Sequence, residues 1–482
     1  MPAGAPEPRS RRRHPKLPTR WRILLVVGGV IAAVLALRSL IESGSSAAPA
    51  ASSSAPAKAS PSPSPAARPV LGGSVDPRSL RRAVPEIARR VEGLRGLRFE
   101  SIPKLVVSTP QGLAERRKRA EHEARSKVSP AEWRRAKRAN QAAFQFLRLI
   151  GLADPSFGPK QLKQVGPKTT DGLYENTKRR ITVVMHPGES PALLEQTLAH
   201  ELDHALDAQH FPGAFHRRAD PSSTDAPLAL SALVEGTATV IESRYAHHYL
   251  GARGPVSAAG SKLFGPENMF SYLPPALAAE SRFPYTSGAD FVRSLHDRGH
   301  GWAPVNRAFR RPPTTTAEIL HPQVWPGRDP QGLLRLELAG AMPSGWRKLA
   351  ASDSGELDAR VILATGAPAA QARHAASGLD RGWSAAWQRR GSAGCNGTCS
   401  RDDAALLAYE WQSGRDAVEF AHAVPLYLTR GAKGRPAGRL AWRLPHRYAA
   451  LALFHRRAAI GYAPTAALAR RLAQRGVLAP SR

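Results

Sequence analysis

Residues 200–204 of this 482-residue chain read His-Glu-Leu-Asp-His. His200 and His204 stand one helical turn apart, so on a helix their imidazoles point the same way and can share one metal ion through ring nitrogens. Glu201, next in sequence, is turned so that its carboxylate reaches water activated by that metal. Zinc lowers the pKa of such water to about 7, and a carboxylate can then accept its proton as the water attacks a carbonyl carbon. The plainer alternative is two unconnected surface histidines beside a bystander glutamate.

The surrounding sequence supplies the helix. Ser190 can cap it and Pro191 occupies its first position. Leu193, Leu194, Thr197, Leu198, Leu202, Ala205 and Leu206 form an apolar face at helical spacing. A catalytic zinc needs a third protein ligand and an open position. Glu235 is the expected ligand, because a glutamate within the apolar stretch ALVEGTATVIESRY needs a partner for its charge. A buried salt bridge with an arginine is its alternative role. Glu242, two turns later, is the substitute ligand, and Asp207, one turn past His204, could ligate or orient a ligand.

The elements that must carry these residues are legible in outline. The patterning predicts a helix over Pro85 to Leu94, a strand at Lys104 to Val107 and a charged helix from Gly112 to Lys127. A further helix starts with Ser129 as N-cap, Pro130 and Glu132 in capping-box register, and ends at Gly151. Leu173 and Tyr174, a polar turn and Ile181 to Met185 read as a hairpin feeding the metal-motif helix. Helices over Leu228 to Tyr245 and Gly288 to Asp297 follow. Later, strands Trp383 to Gln388 and Ala404 to Trp411, a helix through Ala417 to Val424, a hairpin over Ala449 to Ala463 and a final helix read as a separate unit.

The first seventy or so residues cannot join a core. Residues 1–22 carry seven Lys or Arg against Glu7, a charge of +6 out of the chain's +31, which leaves +25 for the rest. Ile23 to Leu37 is uncharged and apolar, with Leu40 and Ile41 after Arg38, so 23–41 reads as a membrane anchor with a cytoplasmic N-terminus and the bulk of the chain outside. A cleaved signal peptide is the alternative. Residues 42–72 are Ser/Pro/Ala-rich and read as an extended linker. The basic remainder points to anionic envelope polymers as possible partners. Nucleic acid is the lesser reading, since no RNA-binding, basic-zipper or finger motif accompanies the arginines. Cys395 and Cys399, the only cysteines, are expected to form a local disulfide outside the cytoplasm.

The segments LRGLRFESIPKLVV, GLYENTKRRITVVM, LAHELDHALDAQHF, ALVEGTATV and PYTSGADFVRSLHDRGHGWAPVNRAFRRPPTTTAEILHP together resemble a family of bacterial and archaeal membrane-anchored zinc metallopeptidases. The order of the metal helix and the glutamate helix is similar to that of the gluzincins, the thermolysin-like group. The resemblance implies His200, His204 and Glu235 as ligands of Zn2+ and Glu201 as general base. It departs at Thr239, where the gluzincins carry an aspartate supporting a histidine ligand, so Asp207, Asp203 or Glu242 must take that task. Within the resembling region Tyr285 and His321 are the candidate donors to the reaction's oxyanion, with Tyr245 and His248 behind them.

The expected architecture is α+β: a mainly helical zincin-like domain with a small sheet over 73–325, then a smaller α+β domain over 326–482. The expected activity is hydrolysis of peptide bonds in peptides or proteins at the cell envelope. A catalytically idle zincin-fold module that binds envelope polymer, and a zinc amidase acting on cell-wall peptides, are the alternatives.

Overall fold

The computed structural model describes residues 69–159, 161, 171–216, 223–251, 270, 273–327, 336, 338, 340–392 and 401–480. Among these residues fourteen helices and two sheets, of three and seven strands, make an α+β fold.

The chain opens with helix α1 (Pro77–Arg95). Asp76 accepts from the backbone N–H groups of Arg78 and Ser79, and Gly96, at φ 70°, ends the helix. The helix begins well before Pro85 and runs through it. Pro85 removes one backbone hydrogen bond, but Leu80, Val84, Ile87 and Val91 are all buried on one face and hold the helix across it.

Strand β1 (Lys104–Ser108) leads into helices α2 (Pro110–Ser126) and α3 (Pro130–Leu149). Ser129 and Glu132 form the expected reciprocal cap on α3. Strands β2 (Gly172–Glu175) and β3 (Arg180–Val184) form the predicted hairpin, with β3 central between parallel β1 and antiparallel β2. Ile181 and Val183 of β3, Tyr174 of β2 and Leu105 and Val107 of β1 turn one face of this sheet to helix α4 (Pro191–His210). Ser190 caps α4 through the Leu193 N–H.

After the one-turn helix α5 (Pro212–Phe215) comes α6 (Asp225–Tyr249), which crosses α4 and is apolar nearly all round. Short helices α7 (Pro275–Arg282), α8 (Ser287–Arg298), α9 (Ala303–Arg310) and α10 (Thr316–Leu320) complete this half. The crossing of α6 and α8 is set by two glycines. A Cβ on Gly236 would lie 2.3 Å from the Gly288 carbonyl carbon, and one on Gly288 would lie 2.2 Å from the Ala232 oxygen. Any side chain at either position would force the helices apart.

The C-terminal part alternates β4 (Trp346–Asp353), α11 (Glu356–Ala364), α12 (Ala369–Ala376), β5 (Leu379–Arg389), β6 (Asp403–Trp411), α13 (Gly414–Leu426), β7 (Arg435–Pro436), β8 (Ala441–Leu444), β9 (Arg447–Phe454), β10 (Arg457–Ala463) and α14 (Ala466–Leu478). The sheet is antiparallel, in the order β4-β5-β6-β10-β9-β8-β7. Its two faces lie in different cores. Trp383, Trp387 and Leu406 pack with Leu472 and Val477 of α14. Leu407, Tyr409 and Trp411 join a larger cluster with Phe420 of α13, Leu147 of α3 and Leu233 of α6. The Tyr427 hydroxyl bonds to the Ile150 carbonyl across this junction. The sheet thus packs onto α3 and, through Asp353, is tied to the start of α6, the helix that carries Glu235.

The membrane assignment requires correction. Among the described residues no helix is long and apolar enough to cross a membrane, and the run 23–41, on which the expected anchor rested, lies outside the described residues. A single-pass membrane location with an extracytoplasmic bulk is therefore withdrawn. A run of apolar residues satisfies a length criterion without establishing that a spanning helix forms. Cys395 and Cys399 also lie outside the described residues.

Candidate metal centre

Helix α4 presents His200 and His204 on the face it turns to α6, and α6 answers with Glu235. Glu235 Oε2 lies 3.4 Å from His200 Nε2 and 3.4 Å from His204 Nε2. Ligands at zinc distances of about 2.0–2.2 Å in a tetrahedral arrangement stand about 3.4 Å from one another. The ligand atoms of His200, His204 and Glu235 all fall within 4.8 Å of one another, and this is the group of three such donors found among the described residues. Two imidazoles and one carboxylate, leaving one direction open, fit a catalytic zinc by the chemistry of the donors alone.

The partners of these side chains prepare them for a cation. His200 Nδ1–H donates to Glu242 Oε2 at 3.0 Å, and Glu242 Oε1 accepts from Gln196 Nε2 at 2.9 Å. With Nδ1 held by Glu242, Nε2 is the ring nitrogen turned toward Glu235. Burial by itself would push the His200 imidazole down, but the carboxylates of Glu235 and Glu242 prevail and hold it well above its ordinary range. The same negative charge that draws a proton there would draw a divalent cation.

Glu242, expected as a substitute ligand, is therefore an orienting residue. Thr239, where the resembling group has its aspartate, donates instead to the Glu235 backbone carbonyl at 2.7 Å. Asp207 and Asp203 are likewise turned away from this task. Asp207 accepts from Arg95 Nε–H at 3.0 Å and forms an ion pair with Nη2 at 2.8 Å, with the Arg95 guanidinium 4.5 Å from the Trp302 ring centroid. Asp203 is fully buried at 3.9 Å from Arg95, and burial together with the neighbouring Asp207 charge pushes its carboxyl well above the usual range.

Glu201 is 7% exposed and lies against β2. A Cβ on Gly172 would sit 2.6 Å from the Glu201 Cγ and Oε1 atoms, so the glycine provides the slot in which this carboxylate rests. The sequence reading passed over Gly172. A glycine opening a strand is the signal for such a close approach.

Of the four candidate oxyanion donors, Tyr285 is brought to the cluster. Its ring lies 6.5 Å from that of His200, at an interplanar angle of 27°. Tyr285 lies two residues before α8, the helix whose close crossing with α6 is set by Gly236 and Gly288. His321 is not brought there: its Nε2 bonds to Glu356 Oε1 at 2.7 Å, near the start of α11, and that carboxylate raises its pKa. Tyr245 is buried and donates to Glu195 Oε1 at 2.6 Å. His248 is exposed near the end of α6, beside His247.

Comparison of the chain with protein-family models, with curated proteins and with solved structures gives no match in any of the three.

Proposed function

We propose that this protein is a zinc-dependent metallopeptidase acting at the His200, His204 and Glu235 cluster. The observation that carries the reading is the convergence of two imidazole nitrogens and one carboxylate oxygen at the spacing of a tetrahedral edge. The order of the motif helix and the glutamate helix, which resembles the gluzincins, supports peptide hydrolysis as the reaction.

His200 and His204 would hold the ion through Nε2 and Glu235 through Oε2. Zinc bound there would supply Lewis acidity, drawing the pKa of water toward neutrality and polarising a peptide carbonyl. Glu201 accepts the proton of the attacking water and returns it to the leaving amine. Gly172 leaves room for that carboxylate, and Glu242 keeps the His200 ring in one orientation and one tautomer. Tyr285, beside His200, is the donor for the oxygen that gains negative charge.

The test is zinc content and peptide cleavage measured on the same preparations of the purified chain. Glu201→Gln keeps the side-chain shape but cannot take the proton, so zinc stays bound while turnover falls by about 10² or more. A Glu201→Gln variant with full activity, or a wild-type protein that binds no zinc, would end the proposal.

A further inference from the structure

Arg282 ends α7, one helical turn before Tyr285, and Tyr285 N–H donates to the Arg282 carbonyl at 3.0 Å. Positions three apart on a helical turn share a face. The Arg282 guanidinium carbon lies 5.8 Å from the Phe270 ring centroid. Phe270 lies 6.3 Å from Tyr285, and Tyr285 stacks over the metal-facing His200. A chain of ring contacts therefore runs from the metal cluster to this cation.

Arg282 is half-buried, and among the described residues its side chain makes no ion pair or hydrogen bond. A charge partly removed from water without a counter-ion is unfavourable, and a weak contact with a phenyl ring compensates little of that. Elsewhere in this half the buried arginines have partners: Arg95 has Asp207, Arg90 has Glu86 and Glu195, Arg148 has the Phe157 carbonyl and Arg244 has His296. The planar guanidinium fork matches a carboxylate through two parallel hydrogen bonds.

We infer that Arg282 is a carboxylate receptor beside the metal centre, and that the substrates are peptides bearing an anionic carboxylate close to the bond that is cut. The inference rests on the metallopeptidase reading and narrows it to a substrate class. The carboxylate has two sources, an Asp or Glu side chain or the peptide's own C-terminus.

The experiment uses the zinc-loaded full chain and two zinc-binding probes, the hydroxamate of succinic acid with a free carboxylate and the same molecule with that carboxylate amidated. The free acid is expected to bind at least ~10-fold more tightly, the scale of a charge-assisted hydrogen bond. Arg282→Gln abolishes the ratio, and Arg282→Lys restores part of it. Peptides containing Glu or its isostere Gln, each with a free or an amidated C-terminus, then identify the source, with the loss in Arg282→Gln appearing in KM. Equal binding of the two probes to zinc-loaded wild type, or a ratio that survives in Arg282→Gln, overturns the assignment and leaves the metal reading intact. A chain that holds no zinc removes both.

Discussion

Helix α6 buries carboxylates at two places, and the two have opposite surroundings. Near its middle, Glu235 faces two imidazoles whose Nε2 atoms point at the same oxygen. At its start, Asp225 sits among further acids and no arginine or lysine pairs with any of them in the described residues. Asp225 accepts from Thr316 N–H at 3.1 Å and from Thr316 Oγ1–H at 2.6 Å, and a Cβ on Gly355 would lie 1.8 Å from its Oδ1. Asp353 accepts from Ser223 Oγ and the Thr224 N–H, and Asp358 from Ser354 Oγ and the Gly355 N–H. These donors cluster where α6, α10 and α11 begin, and the exposed N–H groups of a helix start stabilise a carboxylate.

The difference separates two uses of a buried acid. At the start of α6, backbone and hydroxyl donors occupy the acids, which tie α6 and α10 to β4 and α11. At Glu235, the facing groups are themselves lone-pair donors, an arrangement that becomes favourable when a cation or a proton lies between them. Burial alone therefore does not mark a functional carboxylate. The identity of what faces it does.

The comparison breaks most visibly at the metal end. Replacing His204 by Ala removes a direct ligand, so zinc affinity falls by more than the roughly 10–100-fold of an outer-shell loss. The α-helical signal and the thermal transition without added metal should stay near those of wild type. Isothermal titration with zinc measures the first and circular dichroism the second. Undiminished affinity in His204→Ala would remove the cluster from consideration.

At the other end the expected effect is on stability and follows pH. Burial first, with the nearby charge of Asp353 adding to it, pushes the Asp358 carboxyl up to about 6 from 3.8. The folded chain therefore retains a proton that the unfolded chain releases between those values. This contribution to stability is complete below about pH 4 and is lost as pH rises through 6, on the order of 3 kcal/mol. Burial raises Asp225 and Glu280 as well, and they add in the same direction. The free-energy gap between wild type and Asp358→Asn, from denaturant melts, should therefore shift by about 2 kcal/mol between pH 4.5 and pH 7, the part of that span above the unfolded value. A gap that stays constant with pH would show that the acids here do not hold the proton.

The smallest effect sharpens the contrast at the metal end itself. Glu242→Gln preserves a hydrogen-bond acceptor for His200 Nδ1–H but removes the charge, so zinc affinity falls about tenfold, the low end for an outer-shell change. Competition with a calibrated chelator resolves this. A drop as large as that of His204→Ala would instead make Glu242 a ligand, the role first expected for it.

Much of the fold can be read residue by residue because its signals are local. Ser129 with Glu132, Ser190 with Pro191, and the β-branched run Ile181 to Val184 specify a helix start, a second helix start and a strand through preferences spanning a few residues. Strand β4 and helices α11 and α12 escaped notice. The sequence WRKLAASD of β4 alternates poorly, and it becomes a strand by pairing with β5. Helix α1 was read too short because Pro85 looks like a start, when the buried face on both sides of it continues the helix.

For the site, the sequence by itself determined which residues could act. His200 and His204 share a face because 3.6 residues make a turn, and Glu235 stands out as a charge in an apolar helix. Tertiary structure decided which of them meet and in what role. Tyr285 reaches His200 from two residues before α8, the helix that two glycines let press onto α6, whereas His321 is held away by Glu356. Glu201 lies in a slot that exists only because Gly172 of β2 lacks a side chain, and Glu242 became the partner of His200 in place of Asp207, which Arg95 occupies. Periodicity and capping act within one element, but these choices depend on contacts between elements tens to hundreds of residues apart in sequence, which no local pattern records.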